Sequence, residues 1–170
     1  MEFTVRGKVW LFGNNVDTDQ IYPGRYLELV EHSEIAKHAM EGADPAFLKE
    51  FEPGGILVAG DNFGCGSSRE HAVITLKNAG VSAIIANSFA RIFYRNAINL
   101  GVPVITCEGA LQKMAKGDSV SVDLVGGIVT DLSTGVTLQG DRLSPHVLNI
   151  IEKGGVIPLF REKFGSESEG

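Results

Sequence analysis

The sequence predicts an α/β fold, a parallel sheet flanked by helices that carries a small antiparallel β annex. Short apolar runs at 56–59, 81–86 and 102–106 alternate with helix-like stretches, the pattern of parallel strands joined by crossover helices. After Lys116 the character changes to short β-prone runs joined by Gly and Asp turns, which reads as antiparallel. A length of 170 residues suits one domain whose core needs no covalent staples.

Each element follows from local chemistry. Residues 3–12, rich in Val, Trp and Phe with partial alternation, read as a strand. Residues 13–24, GNNVDTDQIYPG, are loop chemistry. A short helix is expected over 33–40 with Ser33 as its cap, and a polar surface segment over 41–55, where Pro45 and Pro53 stand. A buried strand at 56–59 leads to a helix over 68–78 that Gly80 closes. Strand 81–86 leads to a helix over 88–98, with Ser88 as N-cap and an apolar face of Phe89, Ile92, Phe93 and Ala97. Strand 102–106 precedes a third helix, 108–115. The annex strands are expected at 119–125, 127–132 and 135–139, and a last helix at 144–153. Residues 1–164 read as a single domain, and 165–170, GSESEG, as a disordered polar tail.

Composition narrows the function. A net charge of −6 argues against non-specific nucleic-acid binding, though not against a local basic pocket. No apolar run approaches the roughly 18 residues that a membrane span needs. The first residues lack the basic, apolar and small-residue zones of a signal peptide. Two cysteines, Cys65 and Cys107, form no disulfide framework, so a cytoplasmic setting is expected. Two thiolates also fall short of the set an iron–sulfur cluster takes.

The least ordinary stretch is GDNFGCGSSREHAV, residues 60–73, at a strand-to-helix junction. A helix N-terminus offers unpaired N–H groups and about half a positive charge. Glycines before it let backbone approach a ligand closely. Arg69 adds a planar, permanently charged fork suited to carboxylate or phosphate, and Ser67 and Ser68 add hydroxyls. Such a site is built for an anion. The plainer alternative is a capped helix, with Ser67 or Ser68 as N-cap and Arg69 in solvent. A P-loop needs a Lys that is absent, and a nucleophile elbow needs a GxSxG spacing that is absent. A third option makes one serine a base, its alkoxide held by amides, a helix dipole and the arginine.

Other residues carry weaker signals. Arg91 and Arg95 share one helix face, where a solvated or interface role is favoured over the anion site. Cys65 reads as a small buried filler, Cys107 as core and His71 as first-turn decoration. His32, His38 and His146 lack metal spacing.

Residues 62–73, NFGCGSSREHAV, are followed by IIANSFARIFYRNAINLGVPVI, and VDTDQIYPGRYL stands nearer the N-terminus. These blocks resemble the small subunit of the isopropylmalate isomerase and homoaconitase group of the aconitase superfamily. The resemblance runs from about Lys8 to Phe160. It implies a swivelling β/β/α domain and a hydro-lyase that moves a hydroxyl to the neighbouring carbon by dehydration and rehydration. It also implies a larger partner subunit carrying a [4Fe–4S] cluster, in a heterodimer or heterotetramer, with none bound by this chain. By resemblance Ser68 is the base, Ser67 and Arg69 bind carboxylate and support developing charge, Gly66 lines the substrate site, and Asp19 orients its polar groups.

The resemblance further implies that the loop after Pro23 reads the substrate. Isopropylmalate isomerases tend to show Tyr-Leu-Val-Tyr there and homoaconitases Tyr-Leu-Arg-Thr. Here Arg25 precedes Tyr26, Leu27, Glu28 and Leu29, which match neither. Glu28 would repel a distal carboxylate and Leu29 suits an isopropyl group, while Arg25 could still offer a charge. A branched hydroxy-dicarboxylate such as isopropylmalate, in leucine biosynthesis, is therefore favoured. Homoaconitate- and dimethylmalate-type substrates are the alternatives, and an anion- or RNA-binding module is the non-enzymatic one.

Overall fold

The computed structural model describes residues 3–168, with side chains to residue 163. Its strands are β1 (Thr4–Leu11), β2 (Ile56–Val58), β3 (Ala83–Ala86), β4 (Val104–Thr106), β5 (Ser119–Asp123), β6 (Ile128–Asp131) and β7 (Thr137–Gln139). They form one mixed sheet in the order β4-β3-β2-β1-β5-β6-β7. The expected annex is thus the antiparallel half of the same sheet. β1 joins the halves: its first residues, Thr4–Lys8, pair antiparallel with β5, and Val9–Leu11 pair parallel with β2.

The helices are α1 (Thr18–Ile21), α2 (His32–Ile35), α3 (Phe47–Glu50), α4 (Glu70–Ala79), α5 (Arg91–Asn99), α6 (Ala110–Lys113), α7 (Pro145–Glu152) and α8 (Val156–Ser168). Strand side chains alternate between two cores. Trp10, Leu57, Ile84 and Ala86 face a cluster shared with α3, α4 and α5. Val9, Ile56, Val58, Ala83 and Ile85 face a second one with Ala110 and Met114. Burial on both faces explains why these strands read as continuous apolar runs in sequence.

Gly80 closes α4 in the left-handed conformation (φ 97°), as expected of a glycine cap. Ser144 caps α7, accepting from the Val147 amide, with Pro145 in the first turn. Ser88 is not the cap of α5. That helix starts after Ala90, and Ser88 Oγ instead accepts from the Asn62 amide at 2.8 Å. The segment 41–55 is not wholly superficial. Phe47 is fully buried, and its ring meets Trp10 edge-on at 5.3 Å. The loop 13–24 hides the short α1, held by a capping box between Asp17 and Gln20. The expected helix over 33–40 splits into α2 and a 3-10 turn at Ala36–His38. α8 extends the chain past the last helix expected and reaches into the segment read as a tail; residues 169 and 170 lie outside the described part. Among the described residues no helix is long and apolar enough to cross a membrane.

Candidate functional site

The three loops after β1, β2 and β3 meet at the carboxyl ends of the parallel strands, where open α/β sheets place their ligands. Backbone bonds stitch them together. The Asn15 amide donates to Asp61, Gly64 to Val16 and Thr18 to Cys65 (each 2.8 Å). On the other side, the Phe63 amide donates to Ser88 and Ala90 to Phe63. The segment 60–66 is therefore held as a strip between its neighbours, and the turn that follows is presented from a fixed base.

Gly64 and Gly66 give the strip its course, at φ 84° and 93°. A Cβ on Gly64 would lie 2.2 Å from the Phe93 ring, so only glycine fits. Past Gly66, Ser67 and Ser68 are exposed, and the Ser67 carbonyl accepts from Thr18 Oγ1 at 2.8 Å. Neither serine caps α4: the cap residue is Arg69, in extended conformation, with no side-chain bond to the helix. Both hydroxyls are thus left for something other than helix capping, which sets aside the capped-helix alternative.

Arg69 does not point into solvent. Its side chain is 18% exposed, and Nη1 donates to Asp19 Oδ1 (3.0 Å) and to the Tyr22 carbonyl (3.2 Å). Asp19 Oδ1 also accepts from the Gly24 amide at 2.8 Å. The Arg69 bond, helped by that amide, holds the Asp19 carboxyl below the usual carboxylate range against a small opposing effect of burial. Asp19 and Arg69, both singled out from the sequence, are thus in direct contact. Gly24 leaves room for this, since a Cβ there would stand 3.3 Å from Arg69 Nη2.

A cleft of about 290 Å³ opens beside the turn, lined by Gly66, Ser68 and Arg69 on one wall and by Arg91, Ile92 and Asn96 of α5 on the other. Arg91, for which a solvated or interface role was favoured, thus faces the serine turn. Its place at the start of a helix on the neighbouring strand was the available signal; which wall that helix forms is not written in its sequence.

The segment 25–29 lies next to this group but not in the cleft. Tyr26 Oη and Arg25 Nη2 both donate to Glu41 Oε1, at 2.7 and 2.8 Å. Leu27 and Glu28 are exposed, and the Leu29 carbonyl accepts from His71 Nε2 at 3.0 Å. His71 therefore does more than decorate the first turn: it ties α4 to this segment and stacks on Tyr22 at 5.4 Å.

Cys65 is half-buried rather than a sealed filler, and Cys107 is buried. Burial, with Asp141 nearby, pushes the Cys107 thiol up, so it is a poor metal ligand. Among the described residues no group of three His, Cys, Asp or Glu is placed to hold a metal ion. These donors do not fit a [4Fe–4S] cluster.

A mixed α/β sheet with a Ser-Ser-Arg turn at the carboxyl ends of its parallel strands is the arrangement of an aconitase-type fold, and the comparisons with known proteins agree. Residues 48–109 match the aconitase C-terminal domain family. The chain is 52% identical to the isopropylmalate/citramalate isomerase small subunit of Methanocaldococcus jannaschii, over 96% of this chain and 97% of that one. It is 48% identical to the 3-isopropylmalate dehydratase small subunit 1 of Methanopyrus kandleri over the whole of both chains. It is 53% identical to the methanogen homoaconitase small subunit of Methanothermobacter thermautotrophicus, over 92% and 91%. The crystal structure of a 3-isopropylmalate dehydratase from Methanocaldococcus jannaschii superposes with a TM-score of 0.91 at 39% identity, covering 98% of each chain. The chain belongs to the 3-isopropylmalate dehydratase small-subunit family of the aconitase superfamily.

Proposed function

We propose that this chain is the small subunit of a 3-isopropylmalate dehydratase, a cytoplasmic hydro-lyase that interconverts 2- and 3-isopropylmalate and works only with a larger subunit. The observation that carries this reading is the exposed Ser67–Ser68 pair beside a cleft, next to an arginine already aligned by Asp19. With Nη1 engaged, Arg69 keeps Nη2 and Nε for a substrate carboxylate, a planar fork matching a planar group.

In the reaction a proton leaves the carbon next to a carboxylate, and its electron pair becomes the new double bond as the hydroxyl departs from the neighbouring carbon. Water then adds with the opposite regiochemistry. Ser68 Oγ takes and returns the proton. Its alkoxide is stabilised by the open first turn of α4 and by Arg69. Ser67 hydrogen-bonds the carboxylate, and Gly66 lets the substrate approach the backbone. Asp19 fixes the angle of Arg69. A [4Fe–4S] cluster held by the partner subunit would supply Lewis acidity toward the departing hydroxyl, since the donors of this chain do not fit one. Arg91, on the far wall of the cleft, is positioned to receive a second carboxylate.

For the branch, Leu27 and Leu29 with Glu28 favour an apolar group over a third carboxylate, a preference of about 1–3 kcal/mol. The test is anaerobic reconstitution with the large subunit, assaying isopropylmalate, citramalate and homocitrate side by side. Ser68→Ala should lower turnover roughly 10²–10⁴-fold, the scale of a lost general base, with assembly intact. Full turnover in that variant would remove Ser68 from the chemistry.

A further inference from the structure

Glu41 lies outside every motif described above, yet the side chains of Arg25 and Tyr26 converge on it. Its Oε1 accepts from Tyr26 Oη (2.7 Å) and Arg25 Nη2 (2.8 Å), and its Oε2 from His38 Nδ1 (2.6 Å). The rings close the same group. Tyr26 stacks on His38 with centroids 3.6 Å apart and planes 15° from parallel, and the Arg25 guanidinium sits 4.7 Å above the Tyr26 ring. Tyr22 Oη donates to the Tyr26 carbonyl at 2.6 Å, locking the backbone from the other side. Burial alone would raise the Glu41 carboxyl, but the bonds from His38 and Tyr26 override it and keep it ionised.

The consequence for chemistry is one of charge. Arg25 is the only cation within the segment 24–30, and it stands close enough to Asp19 to help keep that carboxylate ionised. Left alone, it would face the substrate branch with a free guanidinium. Paired with Glu41 through Nη2, it has its charge offset by a carboxylate, and the segment shows outward Leu27, Glu28 and Val30 as exposed side chains beside it. We infer that Glu41 is a positioning residue for substrate selection: it fixes the turn at Gly24–Leu27 and withholds Arg25 from any carboxylate at the end of the substrate branch. This rests on the functional reading above, in that the segment faces that branch.

The test compares wild type, Glu41→Ala and the double variant Arg25→Ala/Glu41→Ala in the reconstituted complex. The substrates are a hydroxy-dicarboxylate with an apolar branch and one whose branch ends in a third carboxylate. Because the Arg25 side chain is 67% exposed, its pair with Glu41 has the strength of a surface ion pair. Glu41→Ala should raise the kcat/KM ratio for the tricarboxylate over the apolar substrate about three- to fivefold, through KM, and the double variant should lose that gain. Equal losses on both substrates, or a gain that survives removal of Arg25, would overturn the inference. A second measurement is independent of turnover. Hydrogen exchange on the full chain should speed up at the Leu27 and Leu29 amides, which bond to Gly24 and Tyr26, when Glu41 is Ala. If the wild-type complex turns over neither substrate, the functional reading fails. The exchange data then decide the positioning role alone, and unchanged protection sinks it.

Discussion

Arg69 Nη1 stands 3.0 Å from Asp19 Oδ1 across 50 residues of chain. One end of the pair stands at the N-cap position of a ten-residue helix and the other sits in a helix of a single turn. The bond therefore joins the loop after β1 to the loop after β2 at the place where a substrate dianion is proposed to bind. Because one guanidinium nitrogen meets both a carboxylate and the Tyr22 carbonyl, geometry matters here as much as charge.

Arg69→Lys should show this. A single ammonium cannot hold Asp19 and the Tyr22 carbonyl while also gripping a planar carboxylate. We expect kcat/KM to fall at least tenfold, mostly through KM, with the fold unchanged. The Asp19 carboxyl, freed from its main hydrogen bond, should move back up toward the ordinary carboxylate range, held short of it by the Gly24 amide. Carboxyl NMR titration of both proteins reads this directly. For stability the sign is set by a lowered folded-state value: the contribution is present above the unfolded value and is lost as pH falls through the folded one. Asp19 is two-thirds exposed, so solvent screening keeps that contribution small. An unmoved Asp19 titration would mean that Arg69 does not control it.

The two glycines of the turn should differ in cost. Ala at Gly66 pays only for the left-handed backbone, roughly 1–2 kcal/mol, since its Cβ would meet nothing nearer than 3.4 Å. Ala at Gly64 adds a clash with Phe93, roughly a further 1–3 kcal/mol. Urea unfolding of the two variants should rank them Gly64→Ala below Gly66→Ala. Equal midpoints would show that the Phe93 ring moves aside freely.

A buried carboxyl far from the site gives a pH prediction. Asp131 is fully buried; its Oδ1 accepts from the Ser133 and Thr134 amides, while Oδ2 finds no donor. Burial, and then its neighbour Asp118, push its carboxyl up, because two acceptors facing each other share only a proton. The Ala115 amide, bonded to Asp118 at 3.0 Å, favours charge on the latter instead. With the folded value raised, the folded state binds the proton more tightly. This contribution is complete below the unfolded value near 3.9 and is lost as pH rises through the folded one. Asp131→Asn keeps an oxygen for both amides and offers an N–H toward Asp118. It should stabilise the protein at pH 7 and make no difference near pH 3, by urea unfolding at each pH. Destabilisation at pH 7 would refute the shared proton.

Much of this was legible in the chain itself. Apolar runs of strand length marked β2, β3 and β4 because burial on both faces leaves no polar alternation to confuse them. Gly80 and Ser144 fixed helix ends through local chemistry alone. The SSR turn marked a candidate anion site, because that composition has few other uses. What local sequence could not set were relations across the fold. Ser88 reads as a cap but serves the Asn62 amide, because the strip 60–66 passes beside it. Segment 41–55 reads as surface, yet Phe47 sits against Trp10, since the face a four-residue helix buries depends on the sheet it meets. Arg91 reads as solvated and is exposed, but only the fold shows that it stands on a wall of the cleft. Glu41 carried no signal, because its partners come from residues 25–38 through a bend no motif encodes. The sequence determined which groups this protein possesses and where its strands and helices lie, since periodicity and capping act over a few residues. Only the tertiary structure decided which charges cancel and which stay free, because that depends on distances between segments far apart along the chain.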